Sequence, residues 1–110
     1  MTKIQETRYI KVYDLEERTL NFSKKLIKTL KILAKEDINR ILVNQCIRSG
    51  TSVGANYREA NDLLGEKDFY MRIKICRKEA KETIYWLDLL GFTNPNSEFD
   101  LKILKRNRRS

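Results

Sequence analysis

The segment IRSGTSVGANYREA, residues 47–60, constrains the fold more than any other part of the sequence. Small residues fill most of its centre: Ser49, Gly50, Thr51, Ser52, Gly54 and Ala55. Glycine and serine are frequent in loops, but a helix at ~100° per residue places the polar side chains of this segment in one stripe about 80° wide. The stripe contains Arg48, Ser52, Asn56 and Glu59. We therefore predict a helix that neighbouring helices approach closely, a pattern typical of packing and assembly rather than of an active site.

Length and composition favour one domain over residues 1–110, with 41% apolar residues available for a core. No apolar run approaches the ~20 residues of a membrane span, and the N-terminal sequence lacks the apolar centre of a signal peptide. We expect a cytoplasmic protein with no membrane association. Cys46 and Cys76 are predicted to be buried free thiols, which a reducing compartment favours over a disulfide. Without histidine or a CxxC motif, no metal or other cofactor is expected.

Asp14 is a plausible N-cap for a first helix that extends to about residue 36, after a lead-in at 1–13. Its predicted core stripe is Leu15, Thr19, Phe22, Leu26, Leu30 and Leu33. A second helix is predicted from Asp37, as its cap, to about residues 61–63. The apolar spacing assigns the buried face of its first half to Ile38, Ile41, Leu42, Gln45 and Cys46.

The third helix is predicted from Glu66 to Gly91, which can end it. Its core stripe is Phe69, Ile73, Cys76, Ala80, Thr83 and Leu87. About 100° from it lies a second stripe, which we predict to contact another element or another subunit: Ile75, Glu79, Glu82 and Trp86. Asn94-Pro95 should stop the helix, and Ser97 can cap a short fourth helix. Phe99, Ile103 and Leu104 would anchor that helix.

One hypothesis based on the carboxylates is a metal-dependent enzyme, because di-iron bundles bind their metals with inward-facing glutamates. Those sites also need Glu-x-x-His pairs, and the chain has no histidine. We expect no catalytic residue, and instead a structural polar network in which Arg48 forks to Glu79 or Glu82. Ser52 and Asn56 would satisfy the remaining donors, and Glu59 would belong to the same cluster. Trp86 is predicted to anchor an interface or the core.

A formal charge of +8 favours binding to polyanions, although many basic proteins bind no specific partner. Lysines recur one turn apart on the first helix, and three more lie on the outer sector of the third. Residues 105–110 form a basic tail. The residues predicted to contact phosphates are Lys24, Lys28, Lys31, Lys35, Lys74, Lys78, Lys81, Arg106, Arg108 and Arg109. An ordinary solvated surface would explain the same residues.

Two motifs carry a resemblance to a known family. The first is Arg48, Ser49, Ser52, Ala55, Asn56 and Glu59; the second is Lys78, Glu79, Ala80, Glu82, Thr83, Trp86 and Leu87. Over most of its length the chain resembles the bacterial four-helix-bundle proteins encoded in intervening sequences of 23S ribosomal RNA genes. It is also similar to the accessory protein of diversity-generating retroelements, which binds a reverse transcriptase and nucleic acid.

The resemblance implies an all-α, antiparallel up-and-down four-helix bundle that forms a homo-oligomer, with a pentamer as the expected assembly. The family's fourth helix is long, whereas here it is predicted to span two or three turns or to leave part of its groove open. Our leading hypothesis is a non-enzymatic oligomer that binds RNA or DNA through its basic outer surface, with little base readout. The alternative is an adaptor or scaffold that docks a protein partner and has no direct nucleic-acid role.

Overall fold

Helices make up nearly all of the described chain in the computed structural model. The structure describes residues 3–62 and 65–107, with side-chain environments at 14–62, 65–97 and 100–105. The helices are α1 (Lys3–Lys31), α2 (Asp37–Asp62), α3 (Glu66–Thr93) and α4 (Glu98–Asn107), and a 3₁₀ turn at Pro95–Ser97 precedes α4. Within these ranges there is no strand. The predicted four-helix bundle with a shortened fourth helix is therefore confirmed, in an elongated form of 52 × 21 × 16 Å.

The core is a cluster, mostly of leucines, where α4 meets α1 and α3 and where α2 contributes one cysteine. Its buried members are Leu26, Leu30, Leu33, Cys46, Leu87, Leu90, Leu101 and Leu104. Leu101 and Leu104 are three residues apart, so both face inward from α4. Leu104 is buried, as predicted, whereas Ile103, also predicted to anchor α4, is exposed and Leu101, which was not predicted, is buried in its place.

The first helix begins well before the predicted position, so the expected lead-in at 1–13 is wrong from Lys3 onward. No glycine or proline separates Lys3 from Asp14, and nothing therefore forces a break there. Asp14 does not cap the helix but accepts a hydrogen bond from Arg18, one turn later, at 3.3 Å. The helix also ends earlier than predicted, at Lys31, which leaves Lys35 in the connection to α2.

The small-residue segment is helical throughout, as predicted, and lies within α2. A Cβ on Gly50 would lie only 2.2 Å from Leu26 Cδ2, so α1 approaches α2 at a distance that a larger residue would obstruct. On the α3 side, the Ser49 and Thr83 hydroxyls share a buried hydrogen bond of 2.8 Å. The segment thus contacts two neighbouring helices at once, and α2 and α3 form the most extensively packed pair.

The N-terminus of α2 corrects two predictions. Its cap is Glu36, whose carboxylate accepts hydrogen bonds from the backbone N–H groups of Asn39 (2.6 Å) and Ile38 (3.3 Å). Asp37 pairs instead with Arg40. Ile38 and Ile41, predicted to be buried, are 53% and 61% exposed. The helix turns Asn39 inward instead, because partners near the C-terminus of α3 satisfy its amide group.

Asn39 lies at the centre of a buried amide network. Its Nδ2 donates to Ala34 O (2.9 Å) and to Asn94 Oδ1 (2.7 Å), and its Oδ1 accepts hydrogen bonds from Asn94 and Thr93. Asn94 also donates its backbone N–H to Leu90 O and caps the C-terminus of α3, which ends at Thr93, two residues after the predicted end at Gly91. This network fixes the α1–α2 connection against the end of α3.

Candidate interaction surfaces

Arg48 bridges α2 to α3 through two carboxylates. Its Nη1 lies 3.3 Å from Glu79 Oε2, and its Nη2 lies 2.7 Å from Glu82 Oε2. This is the pairing expected from the sequence. The hydrogen bond to Glu82 is the main reason why the Arg48 pKa is raised above its ordinary value. However, the Arg48 side chain is 51% exposed in the protomer, so this bridge lies on the surface and not in the expected buried network.

The other members of the predicted network form a separate cluster. Asn56 donates to Ser52 Oγ at 2.9 Å, and Arg72 donates to Asn56 Oδ1 at 3.0 Å. Arg72 also pairs with Glu59 at 3.1 Å. Arg48 cannot reach Glu59, because three helical turns separate the two residues on α2, about 16 Å along its axis.

Arg72 is a site residue that the sequence analysis missed, although a signal for it exists. It lies two turns before Glu79 on α3, and therefore on the same side of the helix. A cation at that spacing, opposite the carboxylate of an antiparallel neighbour, indicates a second cross-helix ion pair.

Exposed apolar side chains adjoin these ion pairs on the side of the bundle that we call the α2–α3 face. It comprises Ile41 and Arg48 of α2 with Ile75, Glu79 and Glu82 of α3. Ile41 lies two turns before Arg48, and Ile75 lies two turns before Glu82, so an isoleucine extends each helix stripe beyond its charged residue. Ile75 is exposed as well as Ile41. The face is therefore polar at its centre and apolar on both sides of it.

Trp86 lies on the same side of α3 as Ile75, Glu79 and Glu82 but is more buried than Ile75. It is partly buried against the leucine core, and its ring meets that of Tyr85 edge to face at 5.1 Å. Its indole N–H is inaccessible and has no acceptor among the described residues. In the protomer Trp86 thus serves as a core anchor at the edge of the α2–α3 face.

The predicted phosphate-binding lysines are exposed in every case: Lys24, Lys28, Lys31, Lys35, Lys74, Lys78 and Lys81. Within the described part of the chain, none of them forms an ion pair. The lysines of α1 and those of α3 face away from the core on helices that make no close backbone contact. The structure therefore distributes them over two sides of the protomer. The Arg106 side chain, Arg108 and Arg109 lie outside the described residues.

A groove of about 360 Å³ separates α1 from α3 beyond the end of α4. We call it the α1–α3 groove. Its apolar lining comes from all four helices: Leu15, Phe22, Val53, Ala80, Ile84, Leu87 and Leu104. The charged residues that line it are all basic: Arg18, Lys25 and Lys105.

The acidic side chains and the two cysteines are the groups that could hold a metal ion or act as nucleophiles. No cluster of three or more Cys, Asp or Glu side chains there is arranged to hold a metal ion. Both cysteines are buried and free. Burial raises the pKa of the Cys46 thiol to about 12 and raises that of Cys76 as well. No helix in the described ranges is long and apolar enough to cross a bilayer.

Residues 11–107 match the family described as 23S rRNA-intervening sequence protein. The chain belongs to this family. A solved structure with a similar fold is that of a protein with unknown function from the S23 ribosomal protein family of Bacteroides thetaiotaomicron. The two sequences are 34% identical, and the alignment covers 84% of this chain and 85% of the other chain. The two structures superpose with a TM-score of 0.75. No protein of curated function matches. Membership of the 23S rRNA-intervening sequence family thus establishes ancestry and fold without naming an activity.

Proposed function

We propose that the protein is a non-enzymatic homo-oligomer that binds RNA or DNA through the phosphate backbone. The observation that supports this most is the exposed set of lysines without carboxylate partners on α1 and α3. Oligomerisation through the α2–α3 face would repeat these lysines around the assembly. The subunit number we propose is five, because the family resemblance implies a pentamer.

The distribution of ion pairs favours lysine as the phosphate ligand. Arg18, Arg40, Arg48 and Arg72 already form ion pairs with carboxylates of the protein. The predicted phosphate-binding lysines have no carboxylate partner among the described residues, and like charges one turn apart repel one another. A phosphate backbone relieves that repulsion and releases its own counterions, which makes such binding strongly dependent on salt and weakly dependent on sequence.

The α2–α3 face supports self-association. Exposed isoleucines on both sides of a charged centre resemble an interface with apolar contacts and fixed polar partners. Arg48 is half-exposed, and a neighbouring subunit that covers this face would desolvate its bridge and strengthen it. The same burial would make the loss of Arg48 more harmful to the assembly than to the isolated protomer.

The absence of an enzymatic role is also part of the proposal. Glu59, Glu79 and Glu82 pair with arginines, and both thiols have pKa values raised by burial, so neither group is poised for catalysis. Turnover of any nucleic acid by the purified protein would contradict this part of the proposal.

Nucleic-acid binding can be tested by fluorescence anisotropy with labelled RNA and DNA of mixed sequence. Reversal of three α1 lysines (Lys24→Glu, Lys28→Glu and Lys31→Glu) should weaken binding to every sequence, and the corresponding Lys→Arg triple should retain it. For the unchanged protein, six or more phosphate contacts would reduce affinity about 10³-fold or more between roughly 50 and 200 mM salt. Binding that is absent, or insensitive to salt, would refute the proposed role.

Self-association can be tested separately by light scattering. Ile41→Glu places a charge on the α2–α3 face and should reduce the particle mass towards that of the protomer. Ile32→Glu is the matched control, since Ile32 is also an exposed isoleucine but lies beyond α1 in the connection to α2. Equal particle masses for both variants and the unchanged protein would exclude the α2–α3 face as the interface.

A further inference from the structure

We propose that the α1–α3 groove binds one amphipathic helix of a partner protein whose apolar stripe is flanked by acidic residues. This gives the adaptor alternative a specific site. It depends neither on nucleic-acid binding by the lysines nor on self-association through the α2–α3 face.

The fold itself indicates what kind of segment the groove accepts. At the other end of the same channel, α4 inserts Leu101 and Leu104 between α1 and α3, where both side chains become buried against Leu26, Leu30, Leu87 and Leu90. The groove continues this channel past Leu104 with a similar apolar lining. A helix that presents apolar residues three or four positions apart would pack there as α4 does.

The dimensions match a short helix. The α1 residues that line the groove extend from Leu15 to Lys25, a rise of about 15 Å. A segment of that length has about three turns, which is the length of α4. A volume of about 360 Å³ is large enough for a few aliphatic side chains and too small for a second complete helix, so the partner would insert only its apolar stripe.

The charge of the groove determines the flanks of the ligand. Its charged lining consists of Arg18, Lys25 and Lys105, with no carboxylate among the lining residues. Arg18 pairs with Asp14 and Lys105 pairs with Asp88, but both pairs are partly exposed to solvent, which keeps them weak enough to exchange for a ligand carboxylate. Lys25 forms no ion pair with any described residue. A helix with acidic flanks would thus be attracted, and one with basic flanks would be repelled.

Two other occupants fit less well. Nucleic acid would contact only the three basic side chains, two of which are already paired with carboxylates, and it would leave the apolar lining uncovered. The outward lysines are the better phosphate ligands. A second copy of this chain carries the same formal charge of +8, which the wholly basic charged lining would oppose more than the α2–α3 face, where Glu79 and Glu82 lie beside Arg48. Each of these occupants would give a distinct result in the experiment below.

The test uses the full chain and a synthetic helical probe. The probe is a peptide of about 12 residues with leucines at i, i+3, i+4 and i+7, glutamates on both flanks, and a fluorescent label. One control peptide has lysines in place of the glutamates, and another has the same composition with the leucines out of register. Anisotropy titration should give saturable binding of the acidic probe, roughly tenfold tighter than that of either control peptide.

Paired variants locate the binding site. Ala80→Leu fills the groove and should weaken probe binding about tenfold or more, whereas Ala34→Leu, in the connection between α1 and α2, should leave it unchanged. Lys25→Glu should weaken binding, whereas Lys24→Glu, a neighbouring lysine that faces away from the groove, should not. Circular dichroism verifies folding, and Ile84→Ala replaces Ala80→Leu if that variant fails to fold.

Three outcomes would overturn the inference. Equal binding of the acidic and lysine-flanked peptides would remove the charge argument, and undiminished binding by Ala80→Leu would place the site elsewhere. A lower particle mass or a lower RNA affinity for Ala80→Leu, without probe binding to the unchanged protein, would assign the groove to a second copy or to nucleic acid. The variant with three reversed α1 lysines (Lys24→Glu, Lys28→Glu and Lys31→Glu) distinguishes this inference from the proposed function. It should no longer bind RNA but should still bind the acidic probe.

Discussion

The two ends of the bundle differ in how the position of the fourth helix is filled. At the closed end, α4 places Leu101 and Leu104 against Leu30 and Leu90, and the Asn39 network joins the helix ends. At the open end, α1 and α3 continue without α4 and leave the α1–α3 groove. Ten residues of α4 thus complete one half of the bundle. The other half rests mainly on the α2–α3 pair.

This difference separates stability from binding along one molecule. The closed end buries its apolar residues within the chain, so changes there should reduce the free energy of unfolding. The open end leaves Leu15 and its neighbours partly exposed, so changes there should alter ligand binding more than stability.

The largest expected difference comes from leucine truncation at the two ends. Leu90 is 0% exposed, and Leu90→Ala should lower the free energy of unfolding by about 2–5 kcal/mol, because it leaves a cavity in the closed core. Leu15 is 38% exposed at the open end, and Leu15→Ala should cost less than about 1 kcal/mol. Urea unfolding at one fixed protein concentration measures the free energy of unfolding of both variants. Equal losses would show that the two ends contribute equally to stability.

A smaller effect is expected from the amide network. Asn39→Ala removes the amide that donates to the Ala34 carbonyl and to Asn94 Oδ1, which should cost about 1–3 kcal/mol. Asn44 is the control, because it is an exposed asparagine of the same helix. Asn44→Ala should be neutral or slightly stabilising, since alanine favours the helix. Similar thermal melting of both variants would mean that the network contributes little.

Substitution of the two glycines of α2 tests how closely α1 and α2 pack between the closed and the open end of the bundle. Gly50→Ala would place a methyl group 2.2 Å from Leu26 Cδ2, and overpacking should outweigh the gain in helix propensity by about 1 kcal/mol. Gly54→Ala meets Thr19 Oγ1 at 3.0 Å, where α1 borders the groove and has room to shift. We expect that variant to be neutral or stabilising. Chemical denaturation distinguishes the two, and stabilisation by Gly50→Ala would contradict the close approach of α1 and α2.

The sequence was most informative where two independent signals agreed. For α3, apolar spacing placed Thr83 and Leu87 inward and the family motif includes both residues, and both are buried. For the start of α2, spacing alone assigned Ile38 and Ile41 to the core, and both are exposed. Periodicity locates an apolar stripe but does not tell a core from an interface. The buried residue there is Asn39, whose partners Thr93 and Asn94 lie more than 50 positions away in sequence.

The candidate sites were only partly predictable for a related reason. The Arg48 bridge follows from local spacing on two helices that the family motif pairs, and it was expected. The extent of the α1–α3 groove depends on where α4 ends and on how far apart α1 and α3 lie. No local pattern encodes either property, so a sequence that indicated a short fourth helix did not reveal the basic lining of the space beyond it.

The smallest expected difference concerns the two thiols, one in each half of the bundle. Cys46 is 0% exposed and has a pKa of about 12, so only roughly 10⁻⁴ of it is thiolate near pH 8. Cys76 packs near Val53 on the side of the open end, and burial raises its pKa as well. Because the thiolate is the reactive form, both should react slowly with a disulfide reagent in the native protein.

Local opening should nevertheless expose Cys76 before Cys46, since α4 does not reinforce its half of the bundle. Cys46→Ser and Cys76→Ser each leave one thiol, so the two labelling rates can be measured separately, with urea-unfolded protein as the reference for full reactivity. We expect the thiol of Cys46→Ser to be labelled several times faster than that of Cys76→Ser. Equal rates close to the global unfolding rate would mean that both halves open together. The groove would then border a rigid framework, and its ligand would bind to a preformed surface.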